Sequence, residues 1–214
     1  MLFIFDWDGT LMDSTYQITS ALQKAFRDVG LEAPDTDKAR WVIGMSLHQA
    51  LYHIAPDLDP EIIPKIIEHY KIHFFHPDNE LHLFSGVKEM LWDLKNQGAL
   101  LAVATGKGRP GLNQVLTEQN LLELFDTTKT ADETAPKPDP LMLEEILLEL
   151  NTPLEQAIMI GDTSHDIHMA KAIKMKNVAV SYGAHDLHDI QSSDPDTIVD
   201  SVPALHQYLT SFIR

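Results

Sequence analysis

The sequence predicts a doubly wound α/β fold: a parallel sheet with helices on both faces and one helical segment inserted into it. Short apolar runs recur along the chain, each followed by polar or turn residues. Amphipathic helical patterns fill the intervals between most of these runs. The alternation breaks once, between Ser14 and about Glu80, where only helical patterns occur.

The runs are LFIF at 2–5, LLAVA at 100–104, AIMI at 157–160, VAV at 178–180 and TIV at 197–199. None alternates apolar with polar residues, and continuous apolar runs are the mark of parallel strands buried on both faces. Helical patterns cover 86–96, 110–119, 140–150, 164–173 and 202–212. Within the insert they cover 14–29, 47–54 and 61–75, separated by Pro34, Pro56, Pro60 and Pro77. The expected division is a core of residues 1–13 and 81–214 and a helical cap of residues 14–80. An insert just past the C-terminal end of a strand sits where α/β sheets bind ligands, so the cap is expected to cover the site.

With 214 residues the chain fits one domain, or a core with a smaller second one. Asp and Glu number 32 against 16 Lys and Arg, a formal net charge of -16. Such a surface repels polyphosphates and excludes nucleic acid as the expected partner. A small phosphate remains compatible, because cations and backbone N–H groups reverse the field within a single cleft. The chain has no cysteine, which rules out thiol nucleophiles, thiolate metal sites and disulfides. The start, MLFIFDWDGT, lacks a basic leader region, and no apolar run has the length of a membrane span. The expectation is a cytoplasmic monomer or homodimer acting on a small molecule.

Asp6 and Asp8 follow the first apolar run, two residues apart, with Gly9 and Thr10 behind them. Strand geometry puts both carboxylates on one side, where one serves as nucleophile and the other handles protons. Crowding the two anions should raise one pKa. Taken alone, the pair reads equally well as an Asp-rich turn. The other strand ends change that balance: Thr105, Gly106 and Lys107 follow LLAVA, Asp162 and Asp166 follow AIMI, and Lys137 stands between them. A nucleophile, metal-binding acids and donors for equatorial oxygens are the parts that phosphoryl transfer requires.

DWDGTLMDS at 6–14, ATGK at 104–107, KPDP at 137–140 and GDTSHD at 161–166 resemble, in order, the four motifs of the haloacid dehalogenase-like hydrolases. The resemblance runs from Leu2 to about Met175 and, with the helical insert, looks like the phosphoglycolate phosphatase-like branch. It implies Asp6 as the nucleophile that becomes aspartyl-phosphate and Asp8 as general acid and base. It implies Thr105 and Lys137, with Gly106 and Lys107 beside Thr105, as the phosphate-binding groups. It also implies a magnesium ion held by Asp162, Asp6 and the main-chain carbonyl of Asp8, with Asp166 acting directly or through water. A halide needs neither proton nor metal to leave, so Asp8 and the acidic loop favour a phosphate ester over an organohalide. Phosphoglycolate is the substrate suggested at family level. One departure from the pattern is the helix end after the fourth motif, where AKAIKM lacks the expected glycine.

Other readings compete. Gly106, Gly108 and Gly111 match a dinucleotide fingerprint after a strand, but LLELFDTTKT reads as a weak second strand. His69, His73 and His76 share one helix face at metal-ligand spacing, yet without a carboxylate in the motif a solvated face is expected. Lys107 and Arg109 read equally as anion contacts or solvated loop cations. Trp41, Met45 and Leu47 read as packing of the cap, and His165 and His168 as packing or support beside the acidic loop. A phosphomutase and a non-catalytic phosphometabolite-binding regulator remain the functional alternatives.

Overall fold

The computed structural model describes residues 1–213. Strand β1 (Leu2–Phe5) leads through the short β2 (Met12–Asp13) into helices α1 (Thr15–Asp28), α2 (Thr36–Trp41), α3 (Leu47–Ile54) and α4 (Ile63–Phe74). The chain returns through β3 (His82–Leu83), which pairs antiparallel with β2. Then come α5 (Val87–Asn96), β4 (Leu100–Thr105), α6 (Arg109–Glu118), β5 (Thr127–Thr130), α7 (Leu141–Glu149) and β6 (Ala157–Gly161). The described chain closes with α8 (Ser164–Ala172), β7 (Lys176–Val180), α9 (Leu187–Ser192), β8 (Thr197–Val199) and α10 (Val202–Thr210). Among the described residues, no helix is long and apolar enough to cross a membrane.

Six strands form one parallel sheet in the order β5-β4-β1-β6-β7-β8, the α/β fold that the alternating pattern predicts. The strand order turns around at β1, which pairs with β4 on one side and β6 on the other. That switch point opens a crevice at the C-terminal ends of the three strands. Alternation along β1 divides the core: Phe3 and Phe5 pack with residues of α5, α6 and α10, and Leu2 and Ile4 with residues of α7 and α8. The helices of the insert have their own apolar cluster, built on Leu22, Phe26, Leu51, Ile66 and Phe74.

Strand β5 is stronger than its sequence suggested. TTKT pairs with β4 from Thr127 to Thr130, but it is an edge strand in which only Thr130 is buried, so it carries no apolar run. Helices α2 and α9 also lie outside the expected helices; each starts at an aspartate, Asp35 or Asp186, whose carboxylate accepts a first-turn N–H. The missing glycine after α8 is replaced by Lys174, left-handed at φ 60°. A left-handed residue with a side chain is strained by about 1 kcal/mol, so Lys174→Gly should stabilise the fold by that order in a denaturant titration.

The three histidines of α4 separate. His69 Nδ1 and His73 Nε2 lie 3.0 and 2.6 Å from one oxygen of Asp28, at the end of α1, whereas His76 lies past the end of α4 beside Asp78. The hydrogen bond to His73 holds the Asp28 carboxyl below its usual pKa. These contacts tie α1 to α4.

Candidate active site

The Asp6 N–H donates to the Ile160 carbonyl (2.8 Å), continuing the sheet one residue past β1. The Asp6 side chain is thereby fixed at the switch point and buried. The chain then turns at Gly9, φ 83°, where a Cβ would fall on the Asp162 carboxylate, so any side chain there displaces an acid of the site.

Behind Asp6 stands a fully buried layer. Lys137 Nζ lies 2.7 Å from Asp6 Oδ1 and 2.6 Å from Asp166 Oδ1. Lys137 thus pairs with both acids through Oδ1, and Asp6 Oδ2 is left without a partner. Asp166 Oδ2 accepts from the N–H (3.1 Å) and hydroxyl (2.7 Å) of Thr163, which caps α8. Asp162 accepts from the Thr10 hydroxyl and the Ala184 N–H, each at 2.7 Å. Ligand atoms of Asp6, Asp162 and Asp166 all lie within 4.8 Å of one another.

Three carboxylates against one ammonium leave this layer electrostatically incomplete. Burial, with Asp166 and Asp162 adding to it, pushes the Asp6 pKa well up against the pull of Lys137. Burial and Asp166 push Asp162 up to about 7. Burial works against the charge of Lys137, but Asp166 and Asp6 outweigh it and hold the ammonium above the usual lysine range. Three crowded, buried carboxylates sharing one ammonium, with Asp6 Oδ2 left free, fit a divalent cation. For acids with raised pKa, the native state is favoured while they are protonated and loses stability as pH rises through the folded values. The melting temperature in chelator should therefore fall between about pH 5 and about pH 8, and a flat or rising profile would contradict this electrostatic picture.

The Asp8 carboxylate is not part of that layer. It accepts from the Ser14 hydroxyl (2.7 Å) and pairs with Lys107 Nζ (3.0 Å), which also lies 4.4 Å from the centre of the Phe74 ring. The acids that crowd Asp6 are thus Asp166 and Asp162, not Asp8 as the two-residue spacing suggested. Thr105, at the end of β4, is buried, and its hydroxyl accepts the Lys107 N–H (3.1 Å). A Cβ on Gly106 would collide with the carbonyls of Gly44 and Met45, so glycine there lets the insert close onto the sheet.

A cavity of about 380 Å³ lies between the sheet end and the insert. Asp6, Asp8, Thr105, Gly106 and Lys107 line it on the core side, whereas Lys137, Asp162 and Asp166 sit outside its lining. Met45 and Leu47 pack against the apolar cluster of the insert, as read from the sequence, and also line the cavity. Trp41 joins the insert to the loops of the sheet: its carbonyl lies 3.2 Å from His165 Nε2 and 2.9 Å from His185 Nε2. Burial lowers the His165 pKa to about 4, which suits a neutral ring at this contact. Arg109 is engaged elsewhere, donating to Glu133 and to Thr128 of β5. The fingerprint glycines do lie on the cavity, but Asp132 already accepts the first N–H of α6, placing an acid where a pyrophosphate would bind.

Thr10, Ser14, Thr163 and the Ala184 N–H were not legible as site groups. The first two stand inside the DWDGTLMDS stretch, but nothing in their spacing points to the carboxylates they contact.

A switch-point crevice lined by Asp6, with Lys137 and two further buried acids behind it, forms the candidate site of this α/β core. The haloacid dehalogenase-like hydrolase family model matches residues 3–180, and the chain belongs to that family. Among its relatives, the probable phosphatase IndB of Dickeya dadantii is 35% identical, over 94% of this chain and 89% of its own. Phosphoglycolate phosphatase of Aliivibrio fischeri is 31% identical, over 93% and 92%. A hydrolase structure from Pseudomonas syringae superposes with a TM-score of 0.91 over the whole of both chains at 22% identity, a likeness of fold.

Proposed function

We propose that the protein is a magnesium-dependent phosphatase that transfers the phosphoryl group of a small organic phosphomonoester to Asp6 and then to water. The observation that carries this reading is Asp6 itself: a buried carboxylate lining the cavity, ion-paired to Lys137 through Oδ1 and with Oδ2 unpartnered. Kinship with proteins named phosphatase points the same way.

In this reading Asp6 attacks phosphorus in line with the leaving alkoxide, which Asp8 protonates; Asp8 then takes a proton from the water that hydrolyses the aspartyl-phosphate. Ser14 orients the Asp8 carboxylate from one oxygen. Thr105, Gly106, Lys107 and Lys137 hold the phosphoryl oxygens, with Lys107 exchanging its contact with Asp8 for one with the substrate. Asp6, Asp162, Asp166 and the Asp8 main-chain carbonyl hold magnesium, which supplies charge neutralisation for the phosphoryl group. Residues 14–80 act as the cap that excludes water, and the enzyme works in the cytoplasm as a monomer or homodimer.

Phosphate release from a panel of small phosphomonoesters, with magnesium and with chelator, tests the reading. Release that requires magnesium is expected; isomerisation of sugar phosphates without net release would indicate a phosphomutase, and no turnover at all would sink the proposal. Asp8→Asn should slow the first step more for alkyl than for aryl esters, since an aryl oxide leaves with less help from an acid. Equal losses in single-turnover measurements would remove Asp8 from that role.

A further inference from the structure

We infer that the cavity contains a subsite for an uncharged, apolar organic group, so that the phosphomonoester it accepts is that of a hydrophobic alcohol rather than phosphoglycolate. This rests on the phosphatase reading above and deepens it.

The cavity has two unlike halves. The core half carries the charged groups, Asp6, Asp8, Lys107 and Asp132. On the helical half, only Tyr70 and Lys71 among the lining residues have polar side chains. Ile18 and Leu22 of α1, Val42 and Ile43 after α2, and Leu47 and Ala50 of α3 supply most of that wall, with Met45 and aromatic rings from α4 and its end. With the phosphoryl group held against Asp6, the remainder of a substrate projects toward these helices.

What that wall accepts follows from solvation. A carboxylate placed against Leu22 and Ile43 would give up its water without gaining a partner, which is costly. The cations within reach do not remedy this. Lys107 is committed to the Asp8 carboxylate at 3.0 Å and, in the reaction, to phosphate. Lys71, though it lines the cavity, is exposed, so water screens its charge. An aromatic or branched aliphatic group instead gains by leaving water, and a cavity of about 380 Å³ has room for one beside a phosphoryl group. Tyr70 adds a largely apolar ring to the same lining.

Binding of two non-hydrolysable phosphonates to the full chain at saturating magnesium tests the subsite, measured by calorimetry. 2-Phenylethylphosphonate mimics benzyl phosphate, and 3-phosphonopropionate mimics phosphoglycolate. The first should bind more tightly by about tenfold or more, the scale of discrimination that an apolar pocket provides. Leu22→Lys and Leu47→Lys should each collapse or reverse that ratio. Leu47 is only half-buried, so its variant keeps the test available if Leu22→Lys does not fold. Equal or tighter binding of 3-phosphonopropionate to the wild type would overturn the inference, as would an unchanged ratio in a folded variant. Turnover separates this inference from the reading beneath it, since benzyl phosphate and phosphoglycolate are both esters of primary alcohols. If 2-phenylethylphosphonate is preferred but neither ester releases phosphate, the subsite stands and the phosphatase reading fails. If both esters are hydrolysed with phosphoglycolate favoured in kcat/KM, the phosphatase stands and the subsite fails.

Discussion

Asp6→Asn is expected to reduce phosphate release by about a thousandfold or more, on the scale that loss of a catalytic nucleophile costs. The amide keeps the shape of the carboxylate but does not attack phosphorus at a useful rate. The fold should survive, because Lys137 keeps its 2.6 Å contact with Asp166 and the substitution removes one of three crowded acids. In chelator the variant should melt at or above the wild-type temperature. Turnover close to wild type in a pure preparation would place the nucleophile elsewhere; loss of activity together with a collapsed melting temperature would mean that Asp6 is structural.

Lys137→Met should have the largest effect on stability. Its ammonium is fully buried between Asp6 and Asp166, and removing one partner of a buried ion pair typically costs about 3–5 kcal/mol because the other charge is left uncompensated. Methionine keeps an unbranched side chain, so the lost charge rather than a cavity dominates the change. Magnesium should offset part of the loss, since a cation held by the same acids replaces some of the missing positive charge. The deficit should also shrink toward about pH 5, where protonation relieves the repulsion. Denaturant titrations in chelator and in magnesium measure both; a variant as stable as wild type in chelator would contradict the electrostatic account.

The fold was legible wherever burial on both faces wrote continuous apolar runs, as in LFIF, LLAVA and AIMI, because parallel strands in a sheet interior have no solvent side to encode. At the sheet edges legibility was uneven: TIV of β8 was read although Ile198 is exposed. The edge strand β5 carries TTKT, since its half-exposed positions demand no apolar side chain. The two six-residue helices α2 and α9 are too short to display a period. The candidate acids and lysines stood out because most follow apolar runs directly, and the four stretches that carry them resemble the family's motifs in order. What holds those groups was not visible. Ser14 meets Asp8 six residues away, but Thr10 meets Asp162 across 152 residues, and that pairing exists only once β1 and β6 lie side by side. Asp28 was hidden similarly: it approaches His69 and His73 only after α1 packs on α4. Met45 and Leu47 illustrate a different limit, because an apolar side chain that lines a cavity and one that fills a core look alike in sequence.

The central claim, that phosphorus is passed through Asp6, is tested most directly by trapping the intermediate. Asp8→Asn should slow hydrolysis of the aspartyl-phosphate while a good aryl leaving group still departs, so label accumulates on the protein. Rapid acid quenching of this variant with phosphorus-labelled aryl phosphate and magnesium, followed by proteolysis and peptide mapping, locates it. The account predicts stoichiometric label on the N-terminal peptide, at Asp6, absent from the Asp6→Asn, Asp8→Asn double variant. Label on any other residue, or aryl alcohol released in a burst with no phosphorylated protein, would contradict it.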